Sequence, residues 1–154
     1  MTRRNHQTGE GKVDYTFAQY WSPTLAPWER HAFPPQGTMG LIRFYNFDIA
    51  SAALKHGHIT GFAWLGEMAL KESVRQNGDP VYVIGAHSNT GDRTFNLNLS
   101  RSRAESVARF LAGRGIPAEK MNVLAGRTLS RDSRGELERW RAVTVMFTAF
   151  KFSP

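Results

Sequence analysis

A polar loop at residues 85–92 carries side chains whose types suggest chemistry. It holds His87, Ser88 and Asp92, which are a base, a hydroxyl and an acid. Serine hydrolases use such a set, but its members normally come from distant segments, because neighbours in one loop rarely reach the geometry of nucleophile, base and orienting acid. We therefore interpret this segment as a binding loop. Considered without its neighbours, His87 is interpreted as a hydrogen-bonded loop histidine.

Other catalytic and cofactor patterns are absent from the sequence. His56 and His58 are two residues apart and would face apart on a helix, which is poor geometry for a metal. The polar loop has two glycines but neither a Walker-A lysine nor a G-x-G-x-x-G pattern. The chain has no cysteine, which excludes disulfides and thiolate metal sites. We predict a non-enzyme with no catalytic residue, no metal and no cofactor.

The elements on either side of the loop can position it. Residues 81–84 form an apolar, β-branched run that is typical of a buried strand. After the loop, apolar residues recur at i, i+3, i+4 and i+7, which predicts one helical face. These are Ala104, Val107, Ala108 and Leu111. Ser100 is the predicted N-cap, and Gly113, Gly115 and Pro117 end the helix.

The strand, loop and helix resemble the OmpA-like C-terminal domain, a family that binds peptidoglycan. The resemblance extends from about residue 41 to residue 150, and the central motif matches without gaps. It rests on Gly85, residues 89–91, Asn96, residues 99–100, Arg103, Ala104, Val107 and residues 115–118, with residues 46–48, 51–52 and 54–55 upstream and residues 141–145 downstream.

The resemblance implies a ligand site for the diaminopimelate residue of a peptidoglycan stem peptide. In the family an aspartate faces its ammonium and an arginine faces its carboxylate, which a guanidinium grips bidentately. Arg103 matches the arginine, whereas Ser88 occupies the aspartate position. The residues that the resemblance and the loop together place at the ligand are Arg103, Ser88, Asn89, Asn96, Leu99, His87, Asp92 and Val107.

The serine changes what the site can bind. Ser88 accepts a hydrogen bond from an ammonium but brings no charge, and charge-assisted bonds are roughly twice as strong as neutral ones. We expect weak or altered peptidoglycan binding unless Asp92 or another acid takes the missing role. Two structural alternatives stay open: Arg103 in an ion pair with Asp92 or Asp48, and Asn96 capping the loop.

The rest of the domain reads as alternating strands and helices. We predict a strand at residues 39–48, a helix at residues 52–75 capped by Asp48 or Ser51, a third strand at 121–125 and a last one at 142–152. The order β-α-β-α-β-β indicates an α/β sandwich, with a mixed sheet and two main helices on one face. Strands joined through a helix should be parallel neighbours.

The first forty residues have a different composition. They are rich in aromatic residues and prolines from residue 13 onward, which argues against both a long helix and full solvation. We divide the chain into a partly flexible N-terminal arm, residues 1–40, and an OmpA-like domain, residues 41–154. The arm is expected to cover a sheet edge or an apolar face, or alternatively to dock a partner protein.

The net charge and the hydropathy of the sequence indicate which classes of partner and which cellular compartment to expect. The 154 residues carry a net charge of +7, which favours anionic partners such as a carboxylate-rich polymer. The basic residues are scattered, so we do not expect nucleic acid as a partner. No apolar run is long enough to span a bilayer, and residues 1–12 do not have the pattern of a signal peptide.

The function expected by resemblance is therefore that of a non-catalytic, peptidoglycan-associating domain of the periplasm or cell envelope, which anchors an assembly to the cell wall. The alternative is the same fold used as a protein-protein scaffold that has lost peptidoglycan binding. The partner is then a protein of a cell-envelope assembly.

Overall fold

A computed structural model describes residues 10–19, 38–78, 80–86, 92–127 and 141–150 of the chain. The helices and strands in these ranges follow one another as β-β-α-α-β-α-β-β. Their bounds are β1 Lys12–Gln19, β2 Thr38–Tyr45, α1 His56–Leu65, α2 Glu67–Asn77, β3 Val81–Ala86, α3 Arg93–Gly113, a 3₁₀ turn Ala118–Lys120, β4 Met121–Arg127 and β5 Ala142–Phe150.

The strands form a mixed sheet in the order β1-β2-β5-β3-β4. β3 and β4 are parallel neighbours joined through α3, as the sequence predicts. β2 and β3 are also joined through helices, but β5 lies between them and is antiparallel to both. The prediction of neighbouring strands is therefore wrong for this pair, because the last strand of the chain inserts at the centre of the sheet.

The helices pack on one face of this sheet and enclose the core. Val143, Val145 and Phe147 of β5 face them, which confirms the predicted alternation. The predicted face of α3 is buried as well. Burial of such side chains contributes about 1.5–3 kcal/mol each, so this layer holds α3 firmly against β3. The predicted α/β fold is confirmed.

Two predicted helix starts are wrong. α3 begins at Arg93, because the Asp92 side chain accepts a hydrogen bond from the Phe95 amide (3.1 Å) and caps the helix there. Ser100 lies inside α3, and its hydroxyl donates to the Leu97 carbonyl (2.8 Å). The first helix begins at His56 after Lys55, rather than at a cap on Asp48 or Ser51.

The predicted helix at residues 52–75 is divided at Gly66 into α1 and α2. A side chain at Gly66 would meet Ile42 of β2, so the glycine allows the helices to approach the sheet.

Glu67, which follows the break, accepts hydrogen bonds from Arg114 after α3 and ion-pairs with Lys71 (2.9 Å). The bond from Arg114 is the main reason that the pKa of Glu67 falls to about 2.

Part of the predicted N-terminal arm belongs to the sheet. Residues 12–19 form β1, which pairs antiparallel with β2 along its whole length. Tyr15 of β1 stacks against Phe147 of β5, with ring centroids 5.8 Å apart. Residues 1–9 and 20–37 of the arm, and the polar segment 128–140, lie outside the described residues.

Candidate functional site

Arg103 is buried where α3 meets the loop that follows β2. Its side chain is on the buried face of α3, and the residue is only 3% exposed. Nε donates to the carbonyl of Ser51 (2.7 Å), and Nη2 donates to the carbonyl of Asp48 (2.9 Å). Cζ lies 5.4 Å from the ring centroid of Phe47, a cation–π distance. These contacts fix the plane of the guanidinium.

The loop that Arg103 grips comprises residues 46–51, hereafter the 46–51 loop. Two further cations contact it. Lys55 Nζ donates to the Asn46 carbonyl (3.2 Å) and pairs with the Asp48 carboxylate (2.7 Å). Arg141, which precedes β5 and is 5% exposed, donates from Nε to the Phe47 carbonyl (2.8 Å) and from Nη2 to Asn46 Oδ1 (3.0 Å). Cations thus surround this loop.

The predicted contact between Arg103 and Asp48 exists, but it is made to the main chain. The Asp48 carboxylate pairs with Lys55, and its carbonyl accepts from Arg103. A carbonyl oxygen solvates a guanidinium without neutralising it. These bonds therefore hold the guanidinium of Arg103 in place.

His58 is a further polar residue beside the loop. It is fully buried, and its ring centroid lies 4.6 Å from that of Phe47. Nδ1 accepts from the Lys55 amide (2.9 Å), so Nε2 is the protonated nitrogen and donates to the Tyr45 carbonyl (2.8 Å). Both nitrogens are satisfied in the neutral ring. Burial lowers the pKa of His58, and the bond to Tyr45 opposes this only in part.

The other predicted ligand residues lie in different surroundings. Asp92 is exposed and caps α3. Asn96 is half-buried in the first turn of α3, where its amide donates to the Asp92 carbonyl (3.0 Å), and Leu99 is also half-buried. Val107 is fully buried in the core, one turn beyond Arg103. His87, Ser88 and Asn89 lie outside the described residues.

A close contact between β3 and α3 lies within one helical turn of Arg103. A side chain at Gly85 would overlap the carbonyl of Ser100, so only glycine allows this approach. Ser100 lies within one turn of Arg103. The carboxyl end of β3 therefore lies against the middle of α3, within one turn of Arg103.

Sequence reasoning missed Lys55 and Arg141 as members of this cluster. Both lie in segments that carry the resemblance, yet neither had been assigned a role. A signal was present for Arg141, because a charged residue directly before a strand that is buried on both faces must find buried partners. Its partners were not predictable, since Asn46 is 95 positions away in the chain.

A separate cleft of about 370 Å³ lies between α2 and the end of α3. Its rim carries Lys71, Arg75 and Arg114, but these cations pair with Glu67 and Glu72. None of the predicted ligand residues lines it. The cleft therefore gives no support to a second anion site.

The described part of the chain contains neither a cluster of metal-binding side chains nor a membrane-spanning helix. No group of three or more histidine or acidic side chains there is placed to hold a metal ion. Among the same residues, no helix combines the length and the apolar character that crossing a bilayer requires.

The fold and this cluster define an OmpA-like domain: a mixed sheet with helices on one face, and an arginine of α3 buried against the loop that follows β2. A model of the OmpA family matches residues 48–140, and the chain belongs to the OmpA family. The resemblance found in the sequence is thereby confirmed. Sequence comparison with curated proteins gives no match.

Solved structures share the fold at low identity. The OmpA-like domain of FopA1 from Francisella tularensis is 20% identical, with a TM-score of 0.58, over 96% of this chain and 86% of that one. The peptidoglycan-associated lipoprotein of Burkholderia pseudomallei is 21% identical, with a TM-score of 0.54, over 69% and 89%. The periplasmic domain of Helicobacter pylori MotB is 17% identical, with a TM-score of 0.55, over 75% and 76%.

Proposed function

We propose that this domain is a non-catalytic anchor that associates with peptidoglycan and tethers an assembly of the cell envelope to the cell wall. The observation that carries the proposal is that two main-chain hydrogen bonds orient the guanidinium of Arg103, the residue that matches the arginine of the family motif. Membership of the OmpA family supports it. The name of the Burkholderia relative, a peptidoglycan-associated lipoprotein, describes the same kind of partner.

Arg103 supplies the cation that a stem-peptide carboxylate needs. The guanidinium is a planar fork with five N–H donors, and the bonds to Ser51 and Asp48 orient that plane. A cation whose orientation is already fixed loses little side-chain entropy on binding. Arg141, which contacts the same loop, adds positive potential, whereas Lys55 is paired with the Asp48 carboxylate. The proposed ligand set keeps Ser88, Asn89, His87 and Asp92 on the polar loop and Asn96, Leu99 and Val107 on α3.

Ser88 sets the expected strength of binding. A neutral hydroxyl replaces the charge-assisted partner of the diaminopimelate ammonium, which costs roughly 1 kcal/mol. We therefore expect weaker binding than an aspartate would give, with a preference for the carboxylate end of the ligand.

The decisive experiment is a titration with diaminopimelate-type stem peptide at low salt, on wild type and three variants. Ser88→Asp should tighten binding about fivefold to tenfold. Arg103→Lys keeps the charge but loses the fork, and should weaken binding about tenfold. Arg109→Ala removes an exposed cation from the same helix and should change nothing. Binding that responds equally to Arg103→Lys and Arg109→Ala would contradict the proposal.

One observation favours a second function, in which the OmpA fold is a protein-protein scaffold that no longer binds peptidoglycan. Arg103 is only 3% exposed, and its described hydrogen bonds go to the protein's own carbonyls. In that case Ser88→Asp would also fail to bind stem peptide, although it folds normally. The titration therefore separates the two functions.

A further inference from the structure

The 46–51 loop has an unusual backbone. Asn46 has φ of +65° and Ala50 has φ of +59°, both in the left-handed region. Asparagine tolerates this region, whereas alanine pays about 1–2 kcal/mol. A loop with such a backbone keeps its shape only where the surroundings hold it. The contacts around residues 46–48 and 51 are therefore what determine where its carbonyl oxygens point.

Arg141 holds the first half of this loop. It donates to the Phe47 carbonyl and to Asn46 Oδ1, and its own carbonyl accepts from the Phe47 amide (3.3 Å). Phe47 is thus bonded to Arg141 through its main chain in both directions. On its other side, the Phe47 ring faces the guanidinium of Arg103.

The second half of the loop holds Arg103, through the carbonyls of Asp48 and Ser51. A continuous path of contacts therefore runs from Arg141 through Phe47 and the carbonyl of Asp48 to Arg103. We infer that Arg141 is a positioning residue of the ligand site: it fixes the 46–51 loop so that the loop fixes the plane of Arg103. This inference rests on the proposed function and deepens it.

Arg141 can be tested by variants that keep or remove its two-point grip. Arg141→Gln removes the charge and the fork, and Arg141→Lys keeps the charge but cannot bridge the Phe47 carbonyl and Asn46 Oδ1 in the same way. Asn46→Gly keeps the left-handed backbone and removes Oδ1, together with the hydrogen bond from Nδ2 to the Glu10 carbonyl (2.8 Å). Ser73→Ala is the matched control, because it removes a buried hydrogen bond, to the Thr148 carbonyl, elsewhere in the domain.

Two measurements are made on each variant, at temperatures where it is folded. The first is the exchange rate of the Arg103 Nε proton by NMR, which reports the bond to Ser51 without any ligand. We expect about tenfold faster exchange in Arg141→Gln, a smaller increase in Arg141→Lys and Asn46→Gly, and no change in Ser73→Ala. The second is affinity for stem peptide, which should fall about tenfold in Arg141→Gln and stay unchanged in Ser73→Ala.

The outcomes separate this inference from the proposed function. If wild type does not bind stem peptide but the Arg103 proton still responds to Arg141→Gln, the proposed function fails and the positioning role stands. If the proton is equally protected in Arg141→Gln and wild type, the positioning role is overturned whatever binds. If Arg141→Gln does not fold, Arg141→Lys and Asn46→Gly decide by the same two readouts.

Discussion

Buried arginines in this domain use main-chain oxygens as partners. Burying a guanidinium is costly unless its donors are satisfied. Arg103 and Arg141 meet this need with carbonyls of the 46–51 loop and with Asn46 Oδ1. The carbonyl oxygens also orient each guanidinium, and a fixed orientation is what bidentate binding of a carboxylate requires.

Thr144 shows the opposite case, a buried polar group without a described partner. It lies in β5 on the face away from the helices and is 4% exposed. Its Oγ1 is buried and makes no hydrogen bond within the described residues. Thr144→Val replaces the hydroxyl by a methyl group of similar size, so we predict about 1 kcal/mol of stabilisation, measured by urea unfolding.

Thr144→Ser is the control for this prediction. It keeps the hydroxyl and removes the methyl group, so it should destabilise the domain by about 1 kcal/mol. If Thr144→Val instead destabilises the domain, the Thr144 hydroxyl has a hydrogen-bond partner in the folded protein.

At the scale of elements, the contact of β3 with α3 depends on one missing side chain. An alanine at Gly85 would overlap the main-chain carbonyl of Ser100, which cannot move without shifting the helix. Since Arg103 follows Ser100 within a turn, the shift should also disturb the site. We predict that Gly85→Ala costs about 3 kcal/mol of unfolding free energy and weakens any stem-peptide binding.

Gly113 provides a matched glycine for this test. It is the last residue of α3, and a side chain there would meet nothing within 4 Å. Gly113→Ala should therefore be neutral or stabilise the domain by up to about 1 kcal/mol. Equal effects of the two substitutions on stability would contradict the role assigned to Gly85.

The elements themselves were largely predictable, because they follow from local patterns. The strands flanking the core and the buried face of α3 were read from hydrophobic periodicity. The order of the strands in the sheet was not predictable, because the insertion of β5 between β2 and β3 depends on contacts across most of the chain. The start of α3 was missed because Asp92 and Ser100 are both good capping residues, and only packing decides between them.

At the scale of the whole molecule, the candidate site joins segments far apart in the sequence. Arg103 was predicted as the key residue from the motif around it. Its burial was not predicted, because its partners Asp48 and Ser51 are 55 and 52 positions away. Local patterns thus identify which residue types can bind, whereas the tertiary fold determines how accessible they are.

His58 makes the stability of the whole domain depend on pH. Burial lowers its pKa in the folded protein, so the unfolded chain binds a proton first as pH falls below about 6.5. The free energy of unfolding should therefore decrease below that pH, by at most about 1.4 kcal/mol per pH unit, until the folded-state pKa is reached. Above about pH 7.5 this residue should contribute no pH dependence. Urea unfolding between pH 5 and pH 8 measures the slope.

Variants of two histidines separate this effect from general acid sensitivity. His56 and His58 are two residues apart in the sequence, but His56 is exposed and His58 is buried. His58→Gln still offers a donor for the Tyr45 carbonyl but cannot take up a proton, so the slope between pH 5 and pH 6.5 should shrink. His56→Gln changes an exposed residue and should keep the wild-type slope. A wild-type slope in His58→Gln would mean that other groups set the pH dependence. Once the pH falls below the lowered pKa of folded His58, protonation of the ring should also loosen the 46–51 loop, because the ring packs on Phe47.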